Sequence, residues 1–141
     1  MESAAAGTRS SRLAEILALS GALLIALGAF PHWAYAKSAF DDGLNWPLTG
    51  DAFAHGYIFV AVGAIGIALH VLYRSGVTSI EVSWWYSIFA LLMIGSHAIA
   101  LLADADFDLE FIGPGLFISL GGSIAYPVGT FLIRQQERRQ A

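Results

Sequence analysis

The chain has no cysteine, a single lysine, and charge on only 13% of its 141 residues. The first absence excludes disulfides, cysteine-ligated zinc, iron–sulfur clusters and thiol redox chemistry. The scarcity of charge says more. Soluble domains carry roughly 25% charged residues, whereas 57% of this chain is hydrophobic and its mean hydropathy is +0.65. So few charges would not keep so much apolar surface in water. Also missing are a phosphate-cradling glycine loop, a Ser–His–Asp nucleophile set and a basic patch for nucleic acid. These gaps point away from an enzyme and from a nucleic-acid partner. The partner they leave is a lipid bilayer.

What is present is four long apolar stretches, at about 13–36, 55–73, 82–103 and 111–133. Each contains or approaches the ~20 residues that a helix needs to cross a ~30 Å hydrocarbon core. The expected fold is all-α: a single integral domain built as a four-helix transmembrane bundle. The first stretch also has features of a secretory signal, with Arg9 and Arg12 ahead of it and Ala34-Tyr35-Ala36 resembling a cleavage site. Its length, the break at Pro31-His32-Trp33 and the charges of the later spans favour a retained first helix.

Basic residues set the threading. Arg9, Arg12, Arg74, Arg134, Arg138 and Arg139 flank the spans on one side, and Lys37 stands alone on the other. By the positive-inside rule both termini are cytoplasmic. The outer side then carries Asp41, Asp42, Asp51, Asp104, Asp106, Asp108 and Glu110. Aromatic residues such as Trp33, Tyr57, Tyr73 and Trp85 fall near the span ends, as interfacial belts do.

Between the spans, Ser75-Gly76 marks a tight turn, and Thr78 with Glu81 matches a capping box. The outer loop 37–54 has the apolar side chains to fold into a compact cap. Residues 104–110 alternate acid with apolar, which predicts an extended segment. Gly113-Pro114 then opens the last helix. Small residues on the spans predict close helix contacts: Gly115, Ser119, Gly122 and Ser123 on the fourth, Gly56, Gly63 and Gly66 on the second, and Ala18, Gly21, Ala22, Ala26 and Gly28 on the first. Pro127 inside the fourth span predicts a bend.

Ionisable groups inside spans are the first places to look for chemistry. His97 is the deepest, with Tyr126 expected at a compatible level. Glu15 lies one turn into the first span and is expected to pair with Arg12, and His70 to reach the interface. Small four-helix multidrug exporters also carry a glutamate in their first helix, but theirs is deep in the membrane. A haem held by two histidines needs both at one depth. His70 and His97 differ by roughly 16 Å, so the reading takes no cofactor. His32, His55 and Asp51 form a loose zinc or copper candidate. Asp104, Asp106 and Asp108 alternate like a calcium loop but lack its central glycine. The metal reading is therefore none.

Trp33 followed by Gly43-Leu44-Asn45-Trp46 in a larger first outer loop resembles the claudin signature of tetraspan proteins. That resemblance implies adhesion or barrier-type contact. The two cysteines of the signature have no counterpart, so a disulfide-braced outer sheet does not carry over. The function expected from all this is non-enzymatic binding or assembly, by self-association or with another membrane protein. A small transporter or channel component comes second, and a metal- or haem-bearing redox subunit third. The candidate recognition surface is the outer face: Trp33, Trp46 and Phe53 as apolar anchors, ringed by Asp41, Asp42, Asp51, Asp104, Asp106 and Asp108, with His97 beneath.

Overall fold

Four long helices make up most of the described chain: α1 (Glu2–Leu27), α2 (Gly56–Arg74), α3 (Ile80–Asp104) and α4 (Pro114–Gln140). A short antiparallel strand pair, β1 (His32–Ala34) and β2 (Lys37–Ser38), follows α1, and a 3-10 turn at Leu109–Phe111 precedes α4. The structure, a computed structural model, describes residues 2–34, 37–38, 56–104, 106 and 108–140. Three helical segments, Gly56–Arg74, Ile80–Ala103 and Pro114–Gln140, are each long and apolar enough to cross a membrane.

Several boundaries differ from those expected. The first helix does not reach residue 36. It begins at Glu2 and ends at Leu27, because Gly28 and Pro31 weaken the next turn and the Trp33 indole takes over a freed carbonyl: Nε1–H donates to Gly28 O at 2.6 Å. Residues 13–27 extend about 22 Å as helix. Residues 104–110 are not extended as a whole. α3 continues through Asp104, Asp106 adopts a left-handed φ of 49°, and the Asp108 side chain accepts from Glu110 N at the head of the 3-10 turn. The capping box at Thr78 does not form. The helix starts at Ile80, Thr78 Oγ1 has no partner among the described residues, and Glu81 turns to α4 instead. The outer loop beyond Ser38 lies outside the described residues.

The turn between α2 and α3 forms as its sequence predicts. Gly76 takes φ 76°, its N–H donates to Tyr73 O at 3.0 Å, and Val77 N–H reaches back to Leu72 O at 2.9 Å. This pair of bonds closes a helix through a left-handed glycine. It reverses the chain within five residues, so α2 and α3 run antiparallel.

Helix α1 lies between α2 and α4. Its contact with α4 brings backbone against backbone. Ala14 and Gly21 of α1 and Gly28 just past its end recur every seven residues, and Gly115, Gly122 and Gly129 do so on α4. A methyl group at Gly122 would stand 2.7 Å from Gly21 O and 2.8 Å from Ile25 N. One at Gly115 would stand 2.8 Å from Gly28 O. Gly21 and Gly129 meet the backbone of Tyr126 and Ala18 in the same way. Lipid provides no apolar drive for helix association, so such close approach supplies dispersion contacts in its place. A strict seven-residue repeat keeps this seam facing its partner from Ala14 to Gly28. On the other side of α1, Gly63 of α2 admits Ala22 and Ala26.

The α3–α4 contact is built differently. Trp84 and Phe131 meet with ring centres 5.5 Å apart, and Ser87 Oγ and Thr130 Oγ1 are 3.0 Å apart. Two tyrosines tie this half to α2. Tyr126, fully buried, donates to Gly66 O at 3.3 Å, and Tyr86 donates to Val62 O at 3.0 Å. α4 continues as helix through the buried Pro127.

Candidate functional site

Neighbouring helices run antiparallel, so the helix ends gather into two poles. At one pole α1 ends and α4 begins, and the candidate recognition residues belong here. Trp33 is not a surface anchor. It is 0% exposed, because the turn after α1 folds it inward over the last glycines of the seam. Its ring stacks on Phe59 at 4.6 Å and 18°, its indole N–H is held by Gly28, and its carbonyl accepts from Gly113 N–H at 2.8 Å. Phe59 in turn meets His97 edge-on, with centroids 5.6 Å apart.

Trp33, Phe59 and His97 therefore form one continuous stack through the end of the helix cluster. Phe59 is the member that sequence reasoning missed. The signal was its place one turn inside α2, opposite the break after α1. His97 is 8% exposed. Its Nδ1–H donates to Met93 O at 2.7 Å, since a carbonyl can only accept. Tyr126 does not share this level. It meets Tyr86 and Gly66, about three turns along α3 from His97.

The acidic residues divide. Asp106 and Asp108 are exposed, and Asp104 closes the last turn of α3. Trp46, Phe53, Asp41, Asp42 and Asp51 lie outside the described residues, as do His55 and most of the outer loop. Among the described residues, no three His, Asp or Glu side chains converge as a metal site.

The opposite pole carries the arginines. Glu15 pairs with Arg74 of α2, not with Arg12 of its own helix. Antiparallel packing brings Arg74 across to the acid, whereas Arg12 points to solvent. Glu81 of α3 accepts from Arg134 Nε at 2.7 Å and from Arg138 at 3.3 Å, and the Arg134 guanidinium lies 5.6 Å above the Trp84 ring. Tyr73 donates to Glu137 at 2.8 Å. His70 is buried rather than interfacial, 3% exposed, and its Nδ1 has no partner among the described residues.

The fold and both poles fit a helical membrane protein, with three segments of spanning length. No family model matches the chain, and neither the curated proteins nor the solved structures provide a match.

Proposed function

We propose that the chain is a four-helix integral membrane protein of the cell membrane, with both termini cytoplasmic, that works by binding or assembly rather than by catalysis. The observation that carries assembly is a row of small residues left uncovered. Gly21 of α1, Gly115, Gly122 and Gly129 of α4, and Gly63 and Gly66 on the inner side of α2 are consumed in contacts within the chain, whereas Ala61, Ala64 and Ala68 form an exposed stripe on the outer side of α2. Small residues on a lipid-facing surface allow a second helix to approach closely. Polar groups within the spans support a structural rather than a catalytic role. Ser87, Thr130, Tyr86, Tyr126 and His97 are engaged with helix backbone or with each other.

The detergent-corrected mass of the purified protein tests this reading. We expect a homo-oligomer or a co-purifying membrane partner, and Ala64→Phe should abolish the association without loss of helicity. A stable monomer without a partner overturns assembly. For the threading, single cysteines at Asn45 and Arg139 suit a chain with none of its own. An impermeant thiol reagent applied outside should label position 45 and spare 139.

Recognition is assigned to the acidic pole. Its exposed Asp106 and Asp108 add to a negative field that draws basic partners, and Trp46 and Phe53 are the anchors proposed there. Trp33 acts from beneath, by holding the turn. Trp46→Ala in a stably inserted protein should weaken partner capture, and unchanged capture removes the site. One observation favours a transporter component as the second reading, namely the buried His70, whose Nδ1 has no hydrogen-bond partner among the described residues. Proton flux in liposomes that falls with His70→Phe would support it.

A further inference from the structure

On the lipid-facing side of α3 and α4, Trp84, Leu91, Ile124, Pro127, Val128 and Phe131 line an apolar groove of about 360 Å³. Phe131 is also the wall of a second hollow, about 300 Å³, lined by Arg134, Gln135, Arg138 and Arg139. The two share Phe131, which stands between an apolar slot and a basic mouth. From Ile124 to Arg138 the helix rises about 21 Å, which is close to half of a ~40–45 Å bilayer including its headgroups. The combined site thus has the length and the polarity gradient of one phospholipid in one leaflet.

Charge selects the headgroup. Glu81 accepts from Arg134 and Arg138, so the three arginines and one glutamate leave a surplus of two positive charges. Arg134 is further fixed by lying over Trp84. A guanidinium has five N–H donors, and Glu81 occupies few of those on Arg134 and Arg138, leaving donors for phosphate oxygens. We propose that this groove binds an anionic phospholipid, with one acyl chain along Ile124, Val128 and Phe131 and its phosphate at Arg134, Arg138 and Arg139. The site rests on the reading that the chain spans a bilayer. It assigns a ligand to a face other than the exposed stripe of α2.

The test begins with alkaline extraction of membranes containing the full chain. Release into the supernatant overturns the membrane reading together with the site. If the chain is retained, native mass spectrometry of the detergent-purified protein compares phosphatidylglycerol with phosphatidylcholine of matched chains, and with glycerophosphate alone. We expect phosphatidylglycerol to be held at least tenfold more tightly than phosphatidylcholine, and glycerophosphate not to be held. Each arginine near a charged headgroup contributes roughly fivefold, so Arg138→Gln with Arg139→Gln should weaken phosphatidylglycerol about 25-fold. Arg12→Gln, which removes a charge elsewhere at the same pole, should leave it unchanged. Val128→Trp fills the slot at a lipid-facing position and should displace the lipid with every charge intact. Equal retention of the two lipids overturns the site. So does wild-type retention by either groove variant, retention of glycerophosphate alone, or a dimer that Val128→Trp dissociates.

Discussion

Helix α4 has two contact faces, and they hold by opposite means. Toward α1 it presents Gly115, Gly122 and Gly129, and backbone touches backbone. Toward α3 it presents Thr130, Phe131 and Arg134, and long side chains meet through a ring contact, a hydroxyl pair and an ion pair. The first face leaves no room for a methyl group, whereas the second leaves a groove open to the surroundings. The comparison teaches that small residues provide rigidity here and large ones provide a surface. A single helix serves both purposes because the two faces sit at different angles around its axis.

The sharpest way to break this comparison uses two adjacent glycines. Gly122 lies against Gly21 O and Ile25 N, while an added methyl at Gly121 meets nothing within 4 Å. Gly122→Leu should cost upwards of about 3 kcal/mol, since neither backbone is able to yield, and should prevent recovery of monodisperse protein. Gly121→Leu should be neutral or raise the melting temperature slightly, because leucine favours helix over glycine by up to about 1 kcal/mol. Equal damage from both would mean that the seam is not backbone-tight.

Next in size is the plug at the end of the seam. Trp33→Ala removes a buried ring from Phe59 and a donor from Gly28, and thermal unfolding in detergent should show a loss of about 3–5 kcal/mol. On the α3 face, Thr130→Val deletes the hydroxyl shared with Ser87. Interhelical hydrogen bonds of this kind contribute about 0.6–2 kcal/mol, so the loss should be modest and should leave the fold intact. Smallest of all is Glu15→Gln, which breaks the exposed pair with Arg74. Its expected cost is below about 1 kcal/mol and should shrink further at high salt.

The helices were legible because their apolar stretches are long and their turn signals strong. Gly76 and Pro114 fall where turn and helix-start chemistry put them. The end of α1 was not legible. Nothing local says that an indole five residues on will take the Gly28 carbonyl, so hydropathy carried the span too far. The seam was half legible. Its small residues Gly115, Ser119, Gly122 and Ser123 were visible on α4, but not the seven-residue repeat that runs through Gly115 and Gly122 to Gly129. The ion pairs could not be read from spacing along one helix, because Glu15 and Glu81 both find arginines on a neighbouring one. At the candidate site, the turn of Trp33 from surface to interior is a tertiary outcome. Amphipathic rings near a span end are placed by default at the interface, and only the packing of α1, α2 and α4 shows the cavity that takes this one in.

The glycine seam joins the first of the four helices to the last. During synthesis α1 emerges long before α4, so its tightest partner is absent while α2 and α3 are being made. Until then the Ala14, Gly21 and Gly28 face of α1 has only lipid, or a foreign helix, against it. Closure of the seam thus waits for α4, and a chain interrupted after α3 would carry an open seam. That open seam is the kind of surface by which a quality-control protease or insertion chaperone tells unfinished membrane proteins from finished ones.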